Sequence, residues 1–151
     1  MIKSEAARPI RILLAEDEPA DIELVKQAFK QTKIIGELSI VNDGIELLEF
    51  LRKEGRFEQV STPDLILLDL NMPRMSGREA LAEIRKDPRI TSLPVVVMTS
   101  SSSEEDIVKS YELHANCFVR KPLAMPEFEK IVTEIEYFWF SIVTLPRYGE
   151  S

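Results

Sequence analysis

The sequence predicts a three-layer α/β/α domain built on a doubly wound, five-stranded parallel sheet. Three observations carry that expectation. Short apolar runs alternate with helix-period stretches five times within about 130 residues. The apolar runs are continuous rather than alternating, so both faces of the sheet are to be covered by crossover helices. No long linker, low-complexity tract or internal repeat divides the chain.

Each element follows from local pattern and punctuation. Residues 10–15 (IRILLA) are apolar apart from Arg11, a buried-strand signal that Glu16, Asp17 and Glu18 end. Pro19 stands where a first helical turn tolerates it, and Ile22, Leu24, Val25, Ala28 and Phe29 follow at helical spacing, ending before Gly36. A weaker strand over 38–41 leads through Asn42, Asp43 and Gly44 into a helix bearing Ile45, Leu48 and Leu51. Residues 65–68 form the clearest strand, starting just after Pro63 and ending at Asp69. A loop with Pro73 and Gly77 precedes a helix over about 78–87, and Gly44 and Gly77 read as turn residues. Pro94 opens a strand over 95–98 that ends at Thr99. Serines at 101–103 offer an N-cap to the acidic turn at 104–106. A short strand over 117–120 ends at Lys121 and Pro122, and a last helix begins near Pro126.

Composition narrows the function. The chain has 151 residues and a net charge of −7, which argues against a general affinity for nucleic acid or an anionic membrane. No apolar run approaches the roughly 20 residues needed to cross a bilayer, and no signal-peptide core opens the chain, so a cytoplasmic location is expected. One cysteine, Cys117, and one histidine, His114, exclude a disulfide framework and any multi-cysteine or two-histidine metal site. Chemistry is left to oxygen ligands and lysine.

The polar residues that break the pattern fall at strand ends: Glu16 and Asp17 after the first, Asp69 at the third, Thr99 at the fourth, Lys121 at the fifth. In an open parallel sheet these carboxyl ends share one edge, where ligands bind. Close carboxylates need a cation, and hard oxygen ligands suit Mg2+. Asp69 is placed to act as a nucleophile that forms an aspartyl phosphate, with Lys121 and Thr99 available to phosphate oxygens. Singly, each residue has a plain structural reading as a cap, a solvated turn or a surface lysine. Their joint placement at four strand ends is what those readings explain poorly.

ILLAEDE at 12–18, LILLDLNMPRMSG at 65–77, PVVVMTSSS at 94–102 and VRKP at 119–122 resemble the receiver domains of two-component response regulators. The resemblance covers about residues 10–135, with 1–9 an N-terminal extension and 136–151 an apolar extension of the last helix and a tail. It implies a flavodoxin-like sheet of order 2-1-3-4-5. It further implies that Asp69 accepts a phosphoryl group from a phosphohistidine on a sensor histidine kinase. Magnesium would be bound by Asp17, Asp69 and the backbone carbonyl of Asn71, with Glu16 helping through water. Thr99 and Lys121 would contact the phosphoryl oxygens, and the Lys121–Pro122 peptide would be cis. Many receivers carry two aspartates after the first strand; Glu16 holds the first place here. At the switch position stands Phe118, which lacks the hydroxyl of the tyrosine also common there, so switching with Thr99 would rely on packing.

Ile131, Ile135, Phe138, Ile142 and Leu145 recur at heptad-like spacing, widened by Val132, Trp139 and Val143. Four of the eleven aromatic residues lie consecutively at 137–140, more than one core-facing side of a helix can hide. The surplus predicts a homodimer or partner surface. SYELHANCF at 110–118 and FWFSIVTLP at 138–146 resemble the small response regulators paired with phytochrome-type histidine kinases, which implies that kind of kinase as partner. With the receiver ending near residue 135, about sixteen residues remain, too few for a DNA-binding output module. The expected protein is a signalling phosphoacceptor that catalyses only its own phosphorylation and dephosphorylation. A magnesium-dependent phosphohydrolase with an Asp nucleophile would carry a second aspartate where Asn71 stands. An inert adaptor is disfavoured by the intact pocket residues, and a flavin protein by the absence of a phosphate-cradling loop after the first strand. His114 reads as a helix end, and Cys117 as a small buried apolar residue.

Overall fold

The continuous apolar runs become the inner strands of one parallel sheet. A computed structural model describes residues 9–31, 36–99, 114–115, 117–121, 126–131 and 133. In chain order its elements are β1 (Ile10–Ala15), α1 (Pro19–Gln31), β2 (Gly36–Val41), α2 (Gly44–Arg52), a 3-10 turn (Gly55–Phe57), β3 (Leu65–Asp69), α3 (Gly77–Lys86), β4 (Val95–Thr99) and β5 (Cys117–Arg120). Residues 126–131 are helical. All strand pairs are parallel and the order is β2-β1-β3-β4-β5, as the resemblance implied. Among the described residues, no helix is long and apolar enough to cross a membrane.

Burial on both sides of the sheet explains the lack of alternation. Leu13, Ala15, Ile66, Leu68, Val95 and Val97 pack with Leu47, Leu51, Leu81 and Ile84 of α2 and α3. Ile12, Leu14, Leu65, Leu67, Val96 and Met98 face Val25 and Ala28 of α1, together with Phe128 and Ile131. The rings of Phe29 and Phe128 meet edge-on at 6.2 Å, tying α1 to the helical segment 126–131. Leu65, Ile66, Leu67 and Leu68 are all fully buried, each worth about 1.5–3 kcal/mol of transfer free energy.

Two glycines differ from expectation. Gly44 and Gly77 are not turn residues but the first residues of α2 and α3. Their reason is close approach. A Cβ on Gly77 would lie 2.1 Å from the Asp69 carbonyl oxygen, and one on Gly44 would lie 2.7 Å from Met75. Both helices therefore start hard against the loop that follows β3. Asp43 caps α2 by accepting from the Glu46 N–H at 2.8 Å. Ser76 and Glu79 form a reciprocal capping box on α3. β2 begins at Gly36, two residues earlier than the apolar run alone indicates, because its backbone pairs from Ile10 onward.

Candidate functional site

Period-two alternation decides which side chains meet at the carboxyl edge. Ile12 and Leu14 face α1, and Glu16 continues that series; Leu65 and Leu67 do the same for Asp69. Val119 likewise packs on the α1 side, two residues before Lys121. Three charged side chains thus emerge on the side of the sheet that α1 covers. Thr99, in register with Val95 and Val97, belongs to the other side; it is fully buried, and its carbonyl accepts from the Lys121 N–H at 2.9 Å.

Lys121 is the hub. Its Nζ lies 2.7 Å from Glu16 Oε1, 3.0 Å from Asp21 Oδ2 and 3.3 Å from Asp69 Oδ1. The ammonium is nearly buried, as are Glu16 and Asp69. The Asp21 contact is an aligned hydrogen bond. The closer Glu16 contact is an ion pair without that alignment, and Glu16 Oε1 has no hydrogen-bond donor among the described residues. Its other oxygen, Oε2, accepts from the Glu18 N–H at 3.2 Å.

This crowding shifts the ionisation of the group. Burial pushes Glu16 up to about 7, with the Asp69 charge adding to the rise and Lys121 offsetting part of it. Burial also lifts Asp69 above the usual carboxylate range, against the pull of the Lys121 charge and the Asn71 backbone N–H. For Lys121 burial works against the charge, but Glu16, Asp21 and Asp69 outweigh it and hold the ammonium above its ordinary value.

Carboxylate oxygens of Glu16, Asp17 and Asp69 lie within 4.8 Å of one another. Asp17 is exposed, so the cluster opens to solvent on one side. Three hard oxygen donors, one of them a buried oxygen short of a hydrogen-bond donor, fit a divalent cation that keeps some of its waters. The loop beyond Asp69 is held from two sides. The Gly77 N–H donates to the Leu70 carbonyl at 2.9 Å, and the Gly44 N–H to the Met75 carbonyl at 3.0 Å. Arg74 adopts a left-handed φ of 63°, and its guanidinium grips Asp43 Oδ2 at 2.7 and 2.8 Å.

Residues 12–133 match the model of the response regulator receiver domain. The chain belongs to that family. Within it, this receiver is 45% identical over 145 residues to Response regulator Rcp1 of Synechocystis sp., covering 96% of this chain and 99% of Rcp1. The solved structure of the phosphorylated cyanobacterial phytochrome response regulator RcpA superposes with a TM-score of 0.77 at 45% identity, over 89% of this receiver and 96% of RcpA. The Mn(2+)-bound form of Rcp1 gives 0.75 at 45% identity, with the same coverage of both chains. The protein is a receiver-domain signalling protein related to phytochrome response regulators, and its acidic cluster is of the kind that binds a divalent metal.

Of the residues singled out from sequence, Glu16, Asp17, Asp69 and Lys121 come together. Asn71 follows within the loop, its N–H directed at Asp69. Phe118 is half-buried on β5 and packs against the α2 and α3 side of the core. Pro122 and its peptide bond, and Ile135, Phe138, Trp139, Ile142 and Leu145, which the sequence assigns to a dimer or partner surface, lie outside the described residues. So do the serines at 101–103. His114 has a φ of 61°, and its carbonyl accepts two bonds from Arg85, at 2.7 and 3.1 Å. That is a structural tie rather than phosphate chemistry.

Sequence reasoning missed Asp21. The available signal was positional: with Pro19 opening α1, residue 21 falls in the first turn, where side chains tilt back toward the helix start and the strand end.

Proposed function

We propose that this receiver accepts a phosphoryl group on Asp69 from the phosphohistidine of a sensor histidine kinase of phytochrome type. The observation that carries the reading is the convergence of Asp69 with Glu16, Asp17 and Lys121 at the carboxyl edge, two further carboxylates and one ammonium around a buried carboxylate. An Asp69 carboxylate oxygen attacks phosphorus as the bond to the histidine nitrogen breaks; the bonding pair returns to that nitrogen, and with the other ring nitrogen protonated the imidazole leaves neutral. Lys121 and Thr99 take the equatorial oxygens of the transferred group. Glu16, Asp17, Asp69 and the Asn71 carbonyl would hold Mg2+, which supplies positive charge beside the developing phosphoryl oxygens.

Reversal by water returns Asp69 and inorganic phosphate, so the chain turns over only its own phosphoryl group. Engagement of Thr99 by the phosphoryl group draws β4 toward the site and biases the packing of Phe118 on the neighbouring strand, where Val97 and Phe118 are register partners. The output is a protein-binding or homodimer surface formed through Ile135, Phe138, Trp139, Ile142 and Leu145. The relation to Rcp1 and RcpA supports the kinase class, because RcpA is described as a phytochrome response regulator in its phosphorylated form. The receiver acts in the cytoplasm and needs neither nucleic acid nor membrane.

Incubation with acetyl phosphate and magnesium, followed by intact-mass spectrometry, tests the central step. Wild type is expected to gain one phosphoryl mass and Asp69→Asn none. An unlabelled wild type, under conditions that label another receiver, overturns the assignment. Sedimentation before and after truncation following Glu136 tests the surface: a monomer in both cases removes the dimer.

A further inference from the structure

We propose that Asp21 is a positioning residue of the phosphoacceptor site, holding the Lys121 ammonium toward α1 and so setting how firmly that ammonium grips an anion on Asp69. This rests on the assignment of Asp69 as phosphoacceptor.

The lysine ammonium has three N–H donors, and three carboxylates surround it. The Asp69 contact, at 3.3 Å, is the longest, and the Asp21 contact, at 3.0 Å, is the aligned hydrogen bond. A phosphoryl oxygen on Asp69 therefore competes with these three carboxylates for the ammonium. Glu16 is fully buried and cannot exchange its partner for water. The Asp21 side chain keeps 26% of its surface exposed, so its bond is the one that water can replace. Asp21 also stands apart from the three carboxylates whose oxygens cluster for a cation, which confines its influence to the lysine side of the site. Its place in the first turn of α1 makes that helix the arm that fixes the ammonium.

Two consequences follow. Neutralising Asp21 leaves Lys121 with one fewer competitor and strengthens its hold on an anion. The cation cluster, which Asp21 does not join, changes little. Beryllofluoride, a mimic of the bound phosphoryl group, and acetyl phosphate are suitable probes, applied with magnesium to wild type, Asp21→Asn and Asp21→Glu. Asp21→Asn should bind beryllofluoride roughly threefold to tenfold more tightly, the size expected for one partly exposed charge near the anion. Its phosphorylation by acetyl phosphate should accelerate by a similar factor. Asp21→Glu should restore affinity toward that of wild type. Magnesium affinity without either probe should move by less than about twofold, since the competing charge is outside the cluster.

Asp21→Asn with unchanged or weaker beryllofluoride affinity overturns the proposal. So does a magnesium affinity that shifts as much as the anion affinity, because the charge would then be acting through the cation. Asp21→Ser supplies the same comparison if the asparagine variant fails to fold. A wild type that takes neither beryllofluoride nor phosphoryl mass defeats the phosphoacceptor assignment and this proposal together. A wild type that takes both, with Asp21→Asn indifferent, defeats this proposal alone.

Discussion

The molecule holds buried carboxylates in two contrasting ways. At the carboxyl edge, Glu16 and Asp69 share the Lys121 ammonium and are pushed above their ordinary pKa values by burial. At the α2 and α3 side, Asp43 and Asp87 are also buried but held below theirs. Asp87 receives the Arg89 guanidinium and backbone N–H and the Arg52 guanidinium. Asp43 is raised by burial, but the Glu46 N–H and Arg74 outweigh it. The two arrangements differ in supply: the structural carboxylates have more donors than charge, and the edge carboxylates have fewer. A shortage of compensating charge is costly to the fold and useful to a site that must admit a cation and an anion.

The largest effect is expected from removing Lys121, the cation that the edge carboxylates share among the described residues. Lys121→Met leaves Glu16 and Asp69 buried without it, and should lower the unfolding free energy of the metal-free protein at neutral pH by about 3 kcal/mol in urea titrations. A loss no greater than that of an exposed lysine would erase the contrast. Asp43→Ala should cost about 1–2 kcal/mol by removing an N-cap and the partner of Arg74. It should also slow phosphorylation of Asp69, because the loop after β3 loses the tie between Arg74 and Asp43. Unaltered labelling kinetics would limit Asp43 to stability.

Titration separates the two groups by sign. Asp43 and Asp87 have lowered folded pKa values, so their stabilisation is present above the unfolded value of 3.8 and is lost as pH falls through the folded values. Glu16 has a raised value, so its contribution runs the other way: it favours folding below 4.5 and is lost as pH rises toward about 7. Urea unfolding of wild type, Glu16→Gln and Asp87→Asn across the acid and neutral range should show Glu16→Gln losing the neutral-side decline and Asp87→Asn losing the acid-side one. The smallest effect belongs to Arg89→Ala, whose side chain is 68% exposed; its melting temperature should stay near that of wild type, because Arg52 still serves Asp87.

Much of this was legible because strand ends announce themselves. Continuous apolar runs at 10–15, 65–68 and 95–98 end in Glu16, Asp69 and Thr99, and a parallel sheet leaves those ends one edge to share. The capping pattern of Ser76 and Glu79 is written in their spacing. Strand order was not legible in periodicity; it came with the family motifs. Asp21 escaped notice because its role depends on which side of the sheet α1 covers, a tertiary fact. The left-handed Arg74 carries no composition signal, since its strain is offset by Asp43, thirty-one residues away. Arg85 likewise shows its reach to Thr91, Leu93 and His114 only once α3, the loop before β4 and the approach to β5 are brought together.

The contrast between a charge-short edge and charge-satisfied clusters is tested most directly by divalent-cation linkage to folding. Urea unfolding at neutral pH, with and without saturating magnesium, is to be measured for wild type, Asp17→Asn and Asp87→Asn. At one hundred times the dissociation constant, binding to the folded state alone adds about 2.7 kcal/mol. Wild type and Asp87→Asn should gain comparable increments, and Asp17→Asn should gain little. No magnesium increment in wild type, or an equal one in Asp17→Asn, would contradict the account.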